Sequence, residues 1–117
     1  MKKKPTTIIA EIGVNHNGSI SRAKKMIDIL SSLKVNYAKF QLYNSENLVI
    51  KKTKQANYQR KNSLEKSQYA MLKKYEINEK FLNEVISYCK LRKIDFLASV
   101  FDLESLNLLL KKKIKCL

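Results

Sequence analysis

The chain of 117 residues is poor in the residues that punctuate and staple folds: two glycines, one proline, two cysteines, one histidine and no tryptophan. Cys89 and Cys116 fit no metal-ligand spacing and fall in different predicted elements. That argues against a disulfide framework and for reduced, packed thiols of a cytoplasmic protein. With only Gly13 and Gly18 available there is no P-loop, and "GVNHNG" lacks the middle glycine of a dinucleotide fingerprint. No nucleophile elbow is present. His16 has no second histidine and no nearby cysteine, so it reads as a loop or capping residue rather than a metal ligand. No apolar run approaches the length of a membrane span, so no membrane partner is expected. The start, "MKKKPTTIIAEIG", resembles a secretory leader, but Glu11 cuts the apolar run short and no small-residue cleavage site follows.

Acidic residues are also scarce: 10 Asp and Glu stand against 24 Lys and Arg, a formal charge of +14. Such a balance invites a nucleic-acid partner. Against it, nearly all the cations are lysines, the arginines being Arg22, Arg60 and Arg92, whereas base readout and bidentate phosphate clamps favour arginine. The lysines also scatter along helix faces, as on an ordinary solvated surface. Nucleic-acid binding is therefore a minor alternative. An apolar fraction of 44% is enough for a packed core, and the length suits one small domain or a piece of a larger one.

What is present is a regular alternation. Thr7 to Glu11 reads as a short buried strand closed by a Gly/Asn turn. Ser19 or Ser21 can cap a helix to about Leu33, with Ile20, Ala23, Met26, Ile27, Leu30 and Leu33 on one face. Tyr37 to Leu42 is a second strand. Residues 43–63 form a long polar loop, and Leu64 to about Lys74 is weakly helical through Tyr69, Met71 and Leu72. Asn78 caps a helix to about Arg92 with Phe81, Leu82, Val85, Ile86 and Cys89 inward. Asp95 to Phe101 is a third strand, and Asp102 caps a helix bearing Leu103, Leu106, Leu109 and Leu110. The closing "IKCL" reads as the opening of a fourth strand. Three strand-helix units imply an α/β fold with a parallel sheet and helices outside it.

Taken face by face, the strands place Glu11, Lys39, Gln41 and Ser99 on one inner surface towards their carboxyl ends. Open parallel sheets and βα barrels put their ligand sites there. A lysine in mid-strand is costly to bury unless something anionic meets it. Two readings of Lys39 stand: a snorkelling or internally paired lysine, or a phosphate or carboxylate site.

"IIAEIGVNHNGSISRAKKMID", "YAKFQLY", "ANYQ" with "SQYAMLKKYEI", and "FLASVFDLESL", in this order and spacing, resemble the N-acetylneuraminate (sialic acid) synthase family over nearly the whole chain. The resemblance implies a (β/α)8 catalytic barrel of which these residues form about three units and the start of a fourth strand. It implies condensation of phosphoenolpyruvate with N-acetylmannosamine or a related diacetamido sugar and water, giving a sialic-type acid and phosphate, for surface carbohydrate. By motif position Glu11 matches a catalytic carboxylate that handles protons. Lys39 matches a lysine that holds phosphoenolpyruvate, Gln41 a glutamine that contacts the amino sugar, and Ser99 falls where the family has a threonine at the phosphoenolpyruvate site.

A divalent cation, manganese or magnesium, is expected in complete members, with ligands beyond the residues present here. Family members are much longer, so residues 1–117 are expected to be the N-terminal portion of the barrel with no second domain. The chain is expected to be inactive alone, or to assemble as a homodimer or with a complementary chain. Ala98 and Val100 depart from the family's third-strand motif, and Lys34, Lys93 and Lys113 fall at or beside helix ends where glycine is usual.

Overall fold

The structure, a computed structural model, describes residues 2–48 and 68–114. In chain order it has β1 (Ile9–Gly13), α1 (Ile20–Ser32), β2 (Tyr37–Leu42), α2 (Glu79–Leu91), β3 (Asp95–Val100) and α3 (Leu103–Lys111). Helical turns also occur at residues 45–48 and 68–75. The three strands form a parallel sheet in the order β1-β2-β3, as strands joined by helical crossovers do. The rest of the long loop, Leu64 and the end of "IKCL" lie outside the described residues.

The helix starts follow from their caps. The Ser19 and Asn78 side chains accept from the backbone N–H of Arg22 and Phe81, and Asp102 accepts from Ser105, each satisfying a donor that the first turn leaves open. The helix ends are less ordinary. Lys34, Lys93 and Lys113 take left-handed φ of 57°, 58° and 52°. At the first two, N–H groups turn back onto the helix, Lys34 to Ser31 and Val35 to Leu30, Lys93 to Lys90 and Ile94 to Cys89. Lysine occupies the place where glycine adopts this closing motif without strain.

The core lies between the sheet and its helices. Ile12, Ala38, Phe40, Leu42, Phe96 and Ala98 meet Ala23 and Ile27 of α1, Leu82, Val85 and Cys89 of α2, and Leu109 of α3. Phe40 and Phe96 stack with ring centroids 5.4 Å apart. Burying Ile27 or Leu82 completely contributes about 1.5–3 kcal/mol each in transfer terms. Burial, then the charge of Asp95, pushes the Cys89 thiol up to about 12, so it is packing material rather than a nucleophile.

Some boundaries and faces differ from those the sequence suggests. β1 starts at Ile9 and runs past Glu11 to Gly13, because an irregularity between Glu11 and Gly13 lets pairing with β2 continue. Its first apolar residues are not buried: Ile8 and Ile9 are about half exposed, since no described element covers that face. Leu33 is exposed at the α1 cap, Met71 is exposed, and Leu103 and Leu110 point outward while Leu109 points in. β3 ends at Val100, leaving Phe101 exposed.

Candidate active site at the strand ends

The four polar residues singled out from strand alternation come together through sheet register. Glu11 is the cross-strand neighbour of Lys39, and Gln41 of Ser99. Lys39 Nζ lies 2.9 Å from Glu11 Oε2, with the side chains 31% and 46% exposed. At that exposure the pair contributes at most about 1 kcal/mol to stability. Of the two open readings of Lys39, this pairing meets the first in the present structure, while leaving both groups within reach of solvent.

The turn after Glu11 shapes the site. Gly13 has φ +57°, and a Cβ built on it would lie 3.2 Å from Glu11 Oε1 and 3.5 Å from Gln41 Nε2. The missing side chain thus leaves a gap between a carboxylate and an amide donor. Strand alternation does not report this gap, because Gly13 lies past the irregularity that follows Glu11.

His16 lies beyond, completely buried, its ring centroid 5.0 Å from that of Phe81 and 6.2 Å from that of Phe40. Its Nδ1 accepts from the Gly18 N–H at 3.0 Å, and Nε2 has no partner among the described residues. Burial lowers its pKa. His16 is a scaffold of the β1–α1 turn, as its isolation in the sequence suggests. Gly18, φ +73°, sits so close to the neighbouring backbone that a Cβ would be 2.4 Å from the Lys74 carbonyl oxygen.

Contacts between residues far apart in the chain hold the loop after β2. The Asn44 N–H donates to Asp102 Oδ2 at 2.7 Å, and the Asn44 side chain donates to Glu104 at 3.0 Å. Ser45 Oγ donates to Glu76 at 3.1 Å, and the Tyr43 hydroxyl donates to the Leu72 carbonyl at 2.8 Å. Burial, then Glu76 and Tyr75, raises the Tyr43 pKa to about 12. These partners are 29 to 60 residues apart in the chain, so no local pattern announces them.

A cleft of about 480 Å³ opens between the start of α2 and α3, lined by Glu76, Glu79, Glu104 and Lys111 among others. It contains none of the four strand-end residues. We take the strand ends as the site because register, not concavity, brings convergent polar groups there.

The donor groups among the described residues do not compose a metal centre. Among the described residues no three His, Cys, Asp or Glu side chains are arranged to hold an ion. Glu11 is engaged by an ammonium, and His16 offers Nδ1 to a backbone N–H.

Residues 26–117 match the NeuB family. The chain belongs to that family, to the N-terminal part of its synthases. It is 43% identical over 107 residues to the N,N'-diacetyllegionaminic acid synthase of Campylobacter jejuni, covering 91% of this chain and 32% of that protein. It is 35% identical over 109 residues to the enzyme of the same name from Legionella pneumophila, covering 92% and 31%. Among solved structures it is similar to the N-acetylneuraminic acid synthetase of Leptospira borgpetersenii, with TM-score 0.76 and 30% identity over 96% of this chain and 35% of that one. The chain thus spans about a third of the length of these relatives. Among the described residues no helix is long and apolar enough to cross a membrane.

Proposed function

We propose that this chain carries the phosphoenolpyruvate and amino-sugar half of a nonulosonic acid synthase site on a partial (β/α)8 barrel. The observation that carries the reading is the shared strand-end face of Glu11, Lys39, Gln41 and Ser99, with Lys39 and Glu11 in contact, in a NeuB-family chain. In the reaction, the enol carbon of phosphoenolpyruvate bonds to the carbonyl carbon of N-acetylmannosamine or a diacetamido relative, water enters and phosphate leaves.

In this reading each side chain has a task. Lys39 supplies the charge that a phosphate-bearing anion needs, in a site where ammonium-to-phosphate hydrogen bonds are short and strong. Glu11, beside the forming bond, takes or returns protons. Ser99 donates to the anion and Gln41 to the acetamido group. The divalent cation expected for complete enzymes draws its ligands from residues outside this set.

The direct test is calorimetric titration of phosphoenolpyruvate into the 117-residue chain and its Lys39→Gln variant. Binding by the first and its loss in the second support the reading; equal binding by both, or none by either, overturns it. Turnover itself we assign to a barrel with more strands than the three described here. With phosphoenolpyruvate, N-acetylmannosamine and manganese, the chain alone should release little phosphate. Phosphate release at the rate of a complete synthase would overturn that assignment.

A second reading concerns assembly in the cytoplasm. The described sheet has open edges, with Ile9 and Phe101 about half exposed, and such edges invite pairing. A further stretch of polypeptide, a complementary chain or a second copy would cover them. A strictly monomeric species by light scattering, unfolding cooperatively, would count against assembly with another chain.

A further inference from the structure

Lys39 is not waiting empty for its ligand. Glu11, its neighbour in register, already sits on it at 2.9 Å. On the other side Lys39 is paired with Leu97, which has no charge to offer, and β2 carries Tyr37 and Gln41 on the same face. The nearest acid of β3 in register, Asp95, is paired with Tyr37 at the far end of the strand. Among the described residues, then, Glu11 is the carboxylate that neutralises Lys39.

A phosphate dianion and a carboxylate pressed against one ammonium repel each other. Glu11 has somewhere else to go. The space that a Gly13 side chain would fill adjoins Glu11 Oε1 at 3.2 Å and the Gln41 amide nitrogen at 3.5 Å. A short rotation over Gly13 would exchange an ammonium donor for an amide donor.

We propose that Glu11 is an exchangeable counter-ion: a phosphorylated anion arriving at Lys39 displaces its carboxylate, which swings over Gly13 towards Gln41. This rests on the reading of Lys39 as the phosphoenolpyruvate-binding lysine. It adds an order of events. The carboxylate is held on Lys39 while the site is empty, and is freed for proton transfer only when the anion binds. The phosphorylated substrate therefore loads before the sugar can react.

The test is calorimetric titration of phosphoenolpyruvate into the wild-type chain, Glu11→Gln, Glu11→Asp and Lys39→Gln. Both Glu11 and Lys39 are partly exposed, and circular dichroism checks that each variant keeps the fold. Removing the competing carboxylate should tighten binding about fivefold, the scale of an exposed ion pair. Glu11→Asp keeps the charge but is one methylene short of Lys39, so it should gain affinity too. Tighter binding by both variants supports the exchange. Tighter binding by Glu11→Gln with Glu11→Asp unchanged assigns the effect to the charge's field, and overturns it. Unchanged or weaker binding by both, with binding still lost in Lys39→Gln, overturns the exchange and leaves the Lys39 reading intact. If Lys39→Gln binds as well as the wild type, or nothing binds, the Lys39 reading falls and the exchange with it.

Discussion

The backbone N–H of Asn44 donates to Asp102 Oδ2 at 2.7 Å while Asp102 Oδ1 accepts from the Ser105 N–H at 2.8 Å. One carboxylate thus caps α3 and anchors the loop leaving β2, next to the strand that carries Lys39 and Gln41. Asp102→Ala should cost about 2 kcal/mol, from a lost cap of about 1 and a lost loop hydrogen bond of similar size. Urea denaturation checks it. For Asp102, burial opposes ionisation, but the donors Ser105 and Asn44 outweigh it and lower the pKa below its usual 3.8. The folded pKa is depressed, so this stabilisation is present above the unfolded value and is lost as pH falls through the folded one. The gap between wild type and Asp102→Ala should hold at neutral pH and close below about pH 4.

The two glycines make a contrast that separates strain from collision. Both have positive φ, at +57° for Gly13 and +73° for Gly18, so an alanine at either costs about 1 kcal/mol in backbone strain. At Gly13 the Cβ meets the flexible end of Glu11, whereas at Gly18 it would stand 2.4 Å from the Lys74 carbonyl oxygen, a backbone atom. Gly13→Ala should therefore lose about 1 kcal/mol and Gly18→Ala about 3 kcal/mol or fail to fold. Thermal melts of the two variants, compared with wild type, decide the order.

How far the sequence shows this depends on the range over which the interactions act. β2, the caps at Ser19, Asn78 and Asp102, and the inward faces of α1, short of Leu33, and of α2 rest on local periodicity and capping chemistry, and they stand where the pattern places them. The shared face of Glu11, Lys39, Gln41 and Ser99 follows from strand alternation once the strands are parallel and adjacent. The irregularity that carries β1 past Glu11 is set by pairing with β2, and a single strand's composition does not report it. Ile8 and Ile9 look like core residues because hydropathy cannot say whether a covering element exists. The ties from Asn44 to Asp102 and from Ser45 to Glu76 are products of tertiary approach alone.

His16 predicts a pH dependence of its own. Its ring is buried, its Nδ1 holds the Gly18 N–H, and desolvation depresses its pKa from 6.5. A buried neutral histidine must be charged before or during acid unfolding. Its contribution is therefore full above pH 6.5 and declines as pH falls from there to the folded pKa. His16→Leu removes the acceptor for Gly18 and should cost about 1–2 kcal/mol at pH 8. The difference from wild type should shrink between pH 7 and pH 5. Urea midpoints across that range test it, and a constant difference would remove His16 as the source.

The left-handed lysines offer a test in the stabilising direction. Lys34 and Lys93 hold φ of 57° and 58° at the ends of α1 and α2, where glycine avoids the Cβ penalty of about 1 kcal/mol. Against that stand glycine's larger loss of chain entropy on folding and the loss of a cation at a helix C-terminus. The balance favours Lys34→Gly and Lys93→Gly by about 0.5 kcal/mol each. The two sites close separate helices, so the double variant should gain about twice as much. Lys25→Gly is the control: this exposed lysine lies inside α1, and there glycine should cost about 1 kcal/mol. Chemical denaturation of the variants measures the sign as well as the size. Destabilisation by glycine at all three positions would show that the entropy cost and the lost cation outweigh the relief of backbone strain at these helix ends.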